Sequence, residues 1–203
     1  MNVQSEIKDK KDSIINSTLE LIRDHGFHGT TISLISEKAG VAAGTIYHYF
    51  VNKDAIILEL YNTIREEMLV AMFGEAKKEK EYRIQFFRGW KDLCKYFINN
   101  PSRLIFIEQY NCSPYFNLNK KKQSKIPVNQ FNEFFQYGMD NGYLKKMEYN
   151  LVASVVFGGI IATAKYHIFG KFGYTDNDLC KIANIIWDGI KRQEISNKVS
   201  III

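Results

Sequence analysis

Apolar residues recur along this chain at spacings of three and four, the signature of amphipathic helices. No strand hairpin or internal repeat stands out. Ile14, Ile15, Thr18, Leu19 and Ile22 form one stripe and predict a helix over residues 7–25. Gly26 is placed to end it, and Gly29 to serve the following turn. Ile32, Ile35 and Ala39 predict a short second helix with Thr31 as its N-cap. Gly40 interrupts the pattern, and Val41, Ile46 and Phe50 resume it in a third helix. Two short helices about a glycine make the sharp turn of a helix-turn-helix, whose second helix enters the DNA major groove. Asn52 then caps a long fourth helix carrying Ile57, Leu60, Tyr61, Ile64, Met68 and Met72, with Asp54 in its first turn. It is the expected connector to the rest of the chain.

The remaining pattern is also helical. A helix from Tyr82 carries Ile84, Phe87, Trp90, Leu93, Cys94 and Phe97. Pro101 fits the first turn of the next, through Leu104, Ile107 and Tyr110. Residues 112–127 look irregular, with two prolines and a lysine cluster. A helix from Val128 uses Phe131, Phe134, Phe135 and Met139 and ends near Asn141-Gly142. Leu151 to Phe169 is the most apolar segment. Thr175 and Asp178 resemble a capping box opening a last helix through Leu179, Ile182, Ile186 and Ile190. The fold class is all-α, with about nine helices: a three-helix domain over 1–53 and a larger helical domain over 54–203. The apolar end Val199–Ile203 receives no role.

Composition adds limits. The chain has 203 residues, 46% hydrophobic and 24% charged, an ordinary soluble make-up. No apolar run reaches the ~18 residues of a membrane span, and the N-terminus lacks a signal-peptide core, so no membrane role and a cytoplasmic location are expected. Cys94, Cys112 and Cys180 are too scattered for a disulfide framework or zinc site and read as buried free thiols. His25, His28, His48 and His167 lack metal-site companions; no metal or cofactor is expected.

Charge redirects attention. The net charge is +5, but residues 1–53 hold six basic and six acidic side chains. The surplus sits in residues 75–125, with twelve basic against five acidic. There Lys77, Lys78 and Lys80 alternate with Glu79 and Glu81, the pattern of a solvated surface. DNA binding by the first domain therefore cannot rest on bulk charge.

Gly26-Phe27, Thr30-Thr31-Ile32, Ile35, Ala39-Gly40-Val41, Gly44-Thr45-Ile46-Tyr47, Tyr49-Phe50 and Lys53-Asp54 together resemble the N-terminal domain of the TetR family of transcriptional regulators. The likeness covers roughly the first 60 residues. It implies a homodimer joined through its last two helices, a pseudo-palindromic double-stranded DNA operator, and a larger domain that binds a small-molecule inducer. Carried onto this chain, the DNA contacts fall at Thr31, Ala42, Ala43, Gly44, Thr45, Tyr47, His48 and Lys53. Thr31 is a phosphate contact or simply a cap. Gly44 admits close backbone approach or serves helix packing. Ile46, Tyr49 and Phe50 are assigned to the core. Ala42 and Ala43 stand where the family often has serine and then a basic residue, so fewer charged contacts and a shallow salt dependence are expected.

Aromatics concentrate in residues 86–169. The resemblance implies a cavity there for an apolar or aromatic inducer, with candidate lining residues Trp90, Phe106, Glu108, Tyr110, Phe131, Phe135, Phe157 and Tyr166; a packed core is the alternative. Gly158 and Gly159 inside an apolar helix point to close helix approach at a dimer interface or room for a ligand. The expected function is a TetR-like repressor released from its operator by inducer. The alternatives are a ligand-independent dimeric DNA-binding protein and an all-helical enzyme. No nucleophile motif, paired carboxylates or phosphate loop supports the enzyme.

Overall fold

The first helix bends where its glycine predicts. In the computed structural model α1 (Val3–Gly29) contains Gly26 at φ 67°, ψ 179°, outside helical geometry and costly for any residue with a Cβ. Its final turn therefore leaves in a new direction. The structure describes residues 3–116, 129–170 and 172–193; the expected role-less end Val199–Ile203 and the lysines at 120–122 lie outside them. Next come α2 (Ile32–Ala39), α3 (Ala43–Tyr49), α4 (Lys53–Phe73), a 3₁₀ turn (Ala76–Lys78), α5 (Tyr82–Asn99) and α6 (Pro101–Asn111). The order ends with α7 (Asn129–Asp140), α8 (Tyr149–Phe169) and α9 (Asp176–Ile190). Beyond an isolated bridge pairing Leu144 with Lys191, the described residues contain no strand pairing.

Two compact units divide the chain: residues 1–68 with 99–126, and residues 69–98 with 127–203. The first unit thus takes in most of α4 and all of α6 besides the reading helices of 1–53. Its core follows most of the stripe read from the sequence, with Ile56 added and Ile32, Ala39 and Met68 only half-buried. Ile14, Ile22, Ile35, Ile46, Ile56, Ile57 and Ile64 are fully buried. Each such side chain stabilises the fold by roughly 1.5–3 kcal/mol through burial. α1 packs on α2 and α6, and α2 on α3. Buried hydroxyls find acceptors within reach: Thr18 donates to Ile14 O at 2.7 Å and Thr30 to Gly26 O at 2.8 Å. Gly40 closes α2 in the left-handed conformation (φ 66°), as the break in the pattern required.

In the second unit the buried stripe of α5, with Phe86, Trp90, Leu93, Cys94 and Phe97, joins Val152, Val156 and Ile160 of α8 and Leu179, Ala183 and Trp187 of α9. α8 packs on α7 and α9. The capping box is formed: Thr175 accepts the Asp178 N–H, and Asp178 accepts the Thr175 N–H at 3.1 Å. Four expectations need correction. Ile84, expected in the α5 stripe, is 43% exposed and Phe87 is half-buried, while Tyr82 and Phe86 take the buried side. Only Cys94 is buried; Cys112 and Cys180 are exposed. Cys112 follows the end of α6, and Cys180 lies on the side of α9 turned away from the buried Leu179, Ala183 and Trp187. Tyr49 is half-buried rather than core. Finally, α8 is long and apolar enough, by length and composition, to cross a membrane. Scattered polar residues break its apolar runs, yet its mean hydropathy stays high. Part of its circumference is nonetheless covered by α7 and α9.

Candidate nucleic-acid interface

The reading end is built by two short helices held at a fixed angle. Thr31 adopts an extended conformation and accepts the Leu34 N–H at 3.2 Å, so it caps α2. That bond uses an oxygen lone pair and leaves the hydroxyl proton to donate. Ser13 donates to Ala39 O at 3.1 Å and Ser36 to Val41 O at 2.6 Å, which ties down the turn into α3. Ile46 and Phe50 turn inward and fix the rotation of α3. The opposite side of that short helix must then face out.

What faces out is the set singled out in the sequence. Ala42, Ala43 and Gly44 are exposed at the start of α3, and Thr45 is half-buried. Ala42 occupies the N-cap without a side-chain hydrogen bond. A Cβ placed on Gly44 would meet no atom of the described residues within 4 Å. Helix packing therefore does not explain that glycine. Tyr47 is 56% exposed, and His48 is exposed beside it with its ring edge-on to Tyr49 at 5.3 Å. Leu34 and Val51, which the sequence reading passed over, are also exposed, Val51 at 82%.

The cations of this region are largely engaged. Lys38 pairs with Glu20 at 2.9 Å, Arg23 with Asp24 at 2.7 Å, and Lys11 with Glu59. Lys53 is half-buried, and its ammonium donates to Phe27 O at 2.8 Å and Thr30 O at 2.9 Å. It thus binds the start of α4 to the carbonyls that end α1. One of its three N–H groups remains for another acceptor.

The expected ligand residues fall into both units. In the first, Phe106 and Tyr110 are buried, Glu108 is half-buried, and Tyr110 stacks on Tyr61 at 4.0 Å. In the second, Trp90, Phe131 and Phe135 are buried and Phe157 is half-buried. The Phe157 ring meets Phe131 edge-on at 5.0 Å and Phe135 at 6.4 Å. The indole N–H of Trp90 has no acceptor among the described residues. Tyr166 stands apart from this core, 64% exposed. Two clefts, one of about 290 Å³ between α1, α4 and α6 and one of about 390 Å³ at the end of α7, are lined by none of these residues.

Tyr166 instead shares an exposed stripe of α8 with Leu151, Val155, Gly158, Ala162 and Phe169, at spacings of three and four. Ile185 of α9 is 73% exposed. The two glycines of α8 separate: a Cβ on Gly159 would stand 2.4 Å from Ile186 Cδ1, whereas Gly158 faces open space. Gly159 thus permits close α8–α9 packing inside the unit, and Gly158 belongs to the uncovered stripe.

A capped α2, a glycine-closed turn and a short exposed α3 on an all-helical body define a helix-turn-helix transcriptional regulator. Residues 14–60 match the model of bacterial regulatory proteins of the tetR family, and residues 82–191 match a tetracyclin repressor-like C-terminal domain. The chain belongs to the tetR family of bacterial regulatory proteins. An uncharacterized HTH-type transcriptional regulator of Haemophilus influenzae is 27% identical over 108 residues, 53% of this chain and 58% of that protein. The fatty acid metabolism regulator protein of Bacillus subtilis is 36% identical over 66 residues, 32% of this chain and 34% of that one. The matched stretch thus spans about a third to just over half of these curated relatives. Among solved structures, a TetR family transcription regulator from Marinobacter aquaeolei superposes with a TM-score of 0.87 at 19% identity, covering 94% of this chain and all of that one. The regulator FadR of Bacillus subtilis, in complex with stearoyl-CoA, superposes at 0.67 with 22% identity over 87% and 95% of the two chains. The family is one of transcriptional regulators, which sets the enzyme alternative aside.

Proposed function

We propose that this regulator is a homodimeric repressor that binds a pseudo-palindromic duplex through α3 and leaves it when a small apolar ligand binds. The observation that carries the reading is the bare start of α3, where Ala42, Ala43 and Gly44 are exposed and no atom of the described residues occupies the space a Gly44 side chain would take. A backbone so exposed suits close approach to a groove or phosphate, with Thr31, Thr45, Tyr47 and His48 as flanking contacts. Lys53 contributes its charge from the corner where α4 begins. In this reading residues 1–53 read the DNA and residues 54–203 hold the ligand and the dimer contact. Acting on DNA in a bacterial cell places the protein in the cytoplasm.

The uncovered stripe of α8 with Ile185 of α9 supports a dimer through the last two long helices, since a second copy would bury the same apolar surface on both sides. The aromatic residues around Phe131, Phe135 and Phe157, and the unpaired Trp90 N–H, support an apolar ligand carrying a hydrogen-bond acceptor. The stearoyl-CoA bound by the FadR neighbour makes long-chain acyl compounds the first class to test. The experiment is selection of a duplex from a random pool, followed by titration of the complex with stearoyl-CoA and with apolar aromatic probes. Retention of a two-fold sequence and its release by one of these classes supports the reading. Sequence-specific binding that no ligand disturbs supports the ligand-independent alternative, and absence of duplex binding refutes both.

A further inference from the structure

The outward side of α3 lacks every long polar side chain. From Val41 to Val51 the chain contains no Lys, Arg, Asn, Gln, Asp or Glu. Ala42, Ala43, Gly44, Tyr47 and His48 are exposed there, while Ile46 and Phe50 turn inward and Thr45 is half-buried. The nearest cations and amide on either flank are engaged elsewhere. Lys38 pairs with Glu20 at 2.9 Å, Asn52 accepts the Ala55 N–H at 2.9 Å, and Lys53 holds the carbonyls of Phe27 and Thr30. The carboxylates nearest in sequence, Glu37 and Asp54, belong to α2 and α4. Ser13 on Ala39 O and Ser36 on Val41 O hold the turn, so the two alanine methyls stand at a fixed place. Base edges in the major groove differ in what they require. Guanine presents two acceptors, met by Arg or Lys; adenine an acceptor and a donor, met by Asn or Gln; cytosine a donor, met by a carboxylate. Thymine alone adds a methyl group, which packs against an apolar side chain. Tyr47 and His48 each bring one ring, with too few groups on one side to form a paired bond. A guanine–cytosine pair under Ala42 and Ala43 would lose its water to two methyl groups and gain no hydrogen bond.

We propose that Ala42 and Ala43 are specificity-determining residues that read thymine methyl groups, so that each operator half-site carries an adenine–thymine pair with its thymine against the start of α3. The inference deepens the DNA-reading function above and rests on it. An alanine methyl projects one bond from the backbone. It reaches a base only where the backbone itself comes close, and the open space beside Gly44 allows that approach. Phosphate contacts from Thr31 and Lys53 set register and orientation. The methyl contacts then decide which base pair is accepted at that register. Such a contact carries no charge, so it is separable from the phosphate contacts by its indifference to salt.

The test starts from the duplex that the wild type selects from a random pool. Each thymine is replaced in turn by uracil, which deletes the methyl group and keeps the hydrogen bonds of the base pair. Affinities of wild type, Ala42→Gly and Ala43→Gly are measured across a salt series. For wild type, one thymine in each half-site should stand out. Uracil there weakens binding about fourfold, and on the order of tenfold when both half-sites carry it. The logarithmic salt slope stays unchanged, because no phosphate contact is lost. The uracil effect disappears in the glycine variant whose methyl made the contact. Substituted DNA needs no altered protein, so wild type alone decides the matter if a glycine variant fails to fold. A uracil effect that persists in both variants comes from the shape of the DNA and overturns the proposal. A wild-type protein that retains no duplex overturns the DNA-reading function, whereas a retained duplex that tolerates uracil throughout overturns this inference alone.

Discussion

Gly44→Ala separates folding from reading. Glycine in a helix is about 0.5–1 kcal/mol less favourable than alanine, and part of that gain comes from restricting the unfolded chain. Gly44 is the second residue of α3, and its conformation is not one reserved for glycine. The added methyl would meet no atom of the described residues within 4 Å, so no described neighbour opposes the gain. Alanine should stabilise the protein by roughly 0.4–1 kcal/mol, a rise of about 1–4 °C in melting temperature for a chain of this size. The same methyl would stand between the α3 backbone and DNA. Loss of one hydrogen bond to a charged phosphate costs roughly 1.5–3 kcal/mol, or about 10- to 150-fold in affinity. Differential scanning fluorimetry and anisotropy on the selected duplex read the two effects separately. A variant that is more stable and binds DNA as well as wild type would refute close backbone approach at Gly44. A destabilised variant would refute the claim that the space beside it is open.

Four further outcomes are expected. Lys53→Met strands the carbonyls of Phe27 and Thr30, so urea unfolding should show a loss of about 2 kcal/mol, whereas a purely DNA-contacting lysine would leave stability unchanged. Ala43→Lys supplies a charge that the start of α3 lacks; affinity should rise and the salt slope steepen by about 0.9, and an unchanged slope would place Ala43 away from the phosphates. Val155→Glu puts a carboxylate on the exposed stripe of α8, and light scattering should show monomer if that stripe joins two copies. Burial pushes the Cys94 thiol up to about 12, so at pH 8 a thiol reagent should modify the exposed Cys112 and Cys180 at once and Cys94 only on unfolding. The same shift works against stability at high pH. The unfolded thiol loses its proton near pH 9 while the folded one keeps it, so stability declines above that pH until the folded thiol also ionises.

The elements of this protein were legible wherever one residue type has one physical job. Gly26 and Gly40 adopt conformations that other residues resist, Thr31, Asn52 and Thr175 cap helices, and Ile14, Ile22, Ile35, Ile46, Ile57 and Ile64 are buried on the helix faces their spacing marks. Those are local rules, satisfied within a few residues, and they specify the helix-turn-helix without any tertiary knowledge. The partners of long polar side chains were not legible. Nothing in the sequence places the Lys53 ammonium on two carbonyls more than twenty positions away, or sends Lys38 to Glu20. A flexible stem lets a charge reach any neighbour that folding supplies, so only the packed chain decides. The aromatics divide in the same way. The sequence marked Phe27 as part of a motif and Tyr115 as one aromatic among many, and only the fold brings the two rings to 5.1 Å. The glycine pair of α8 was equally ambiguous until α9 took up a position against one of them, with Ile186 beside Gly159 and nothing beside Gly158. Spacing along a helix determines which residues share a face; which face is covered depends on where the next helix lies.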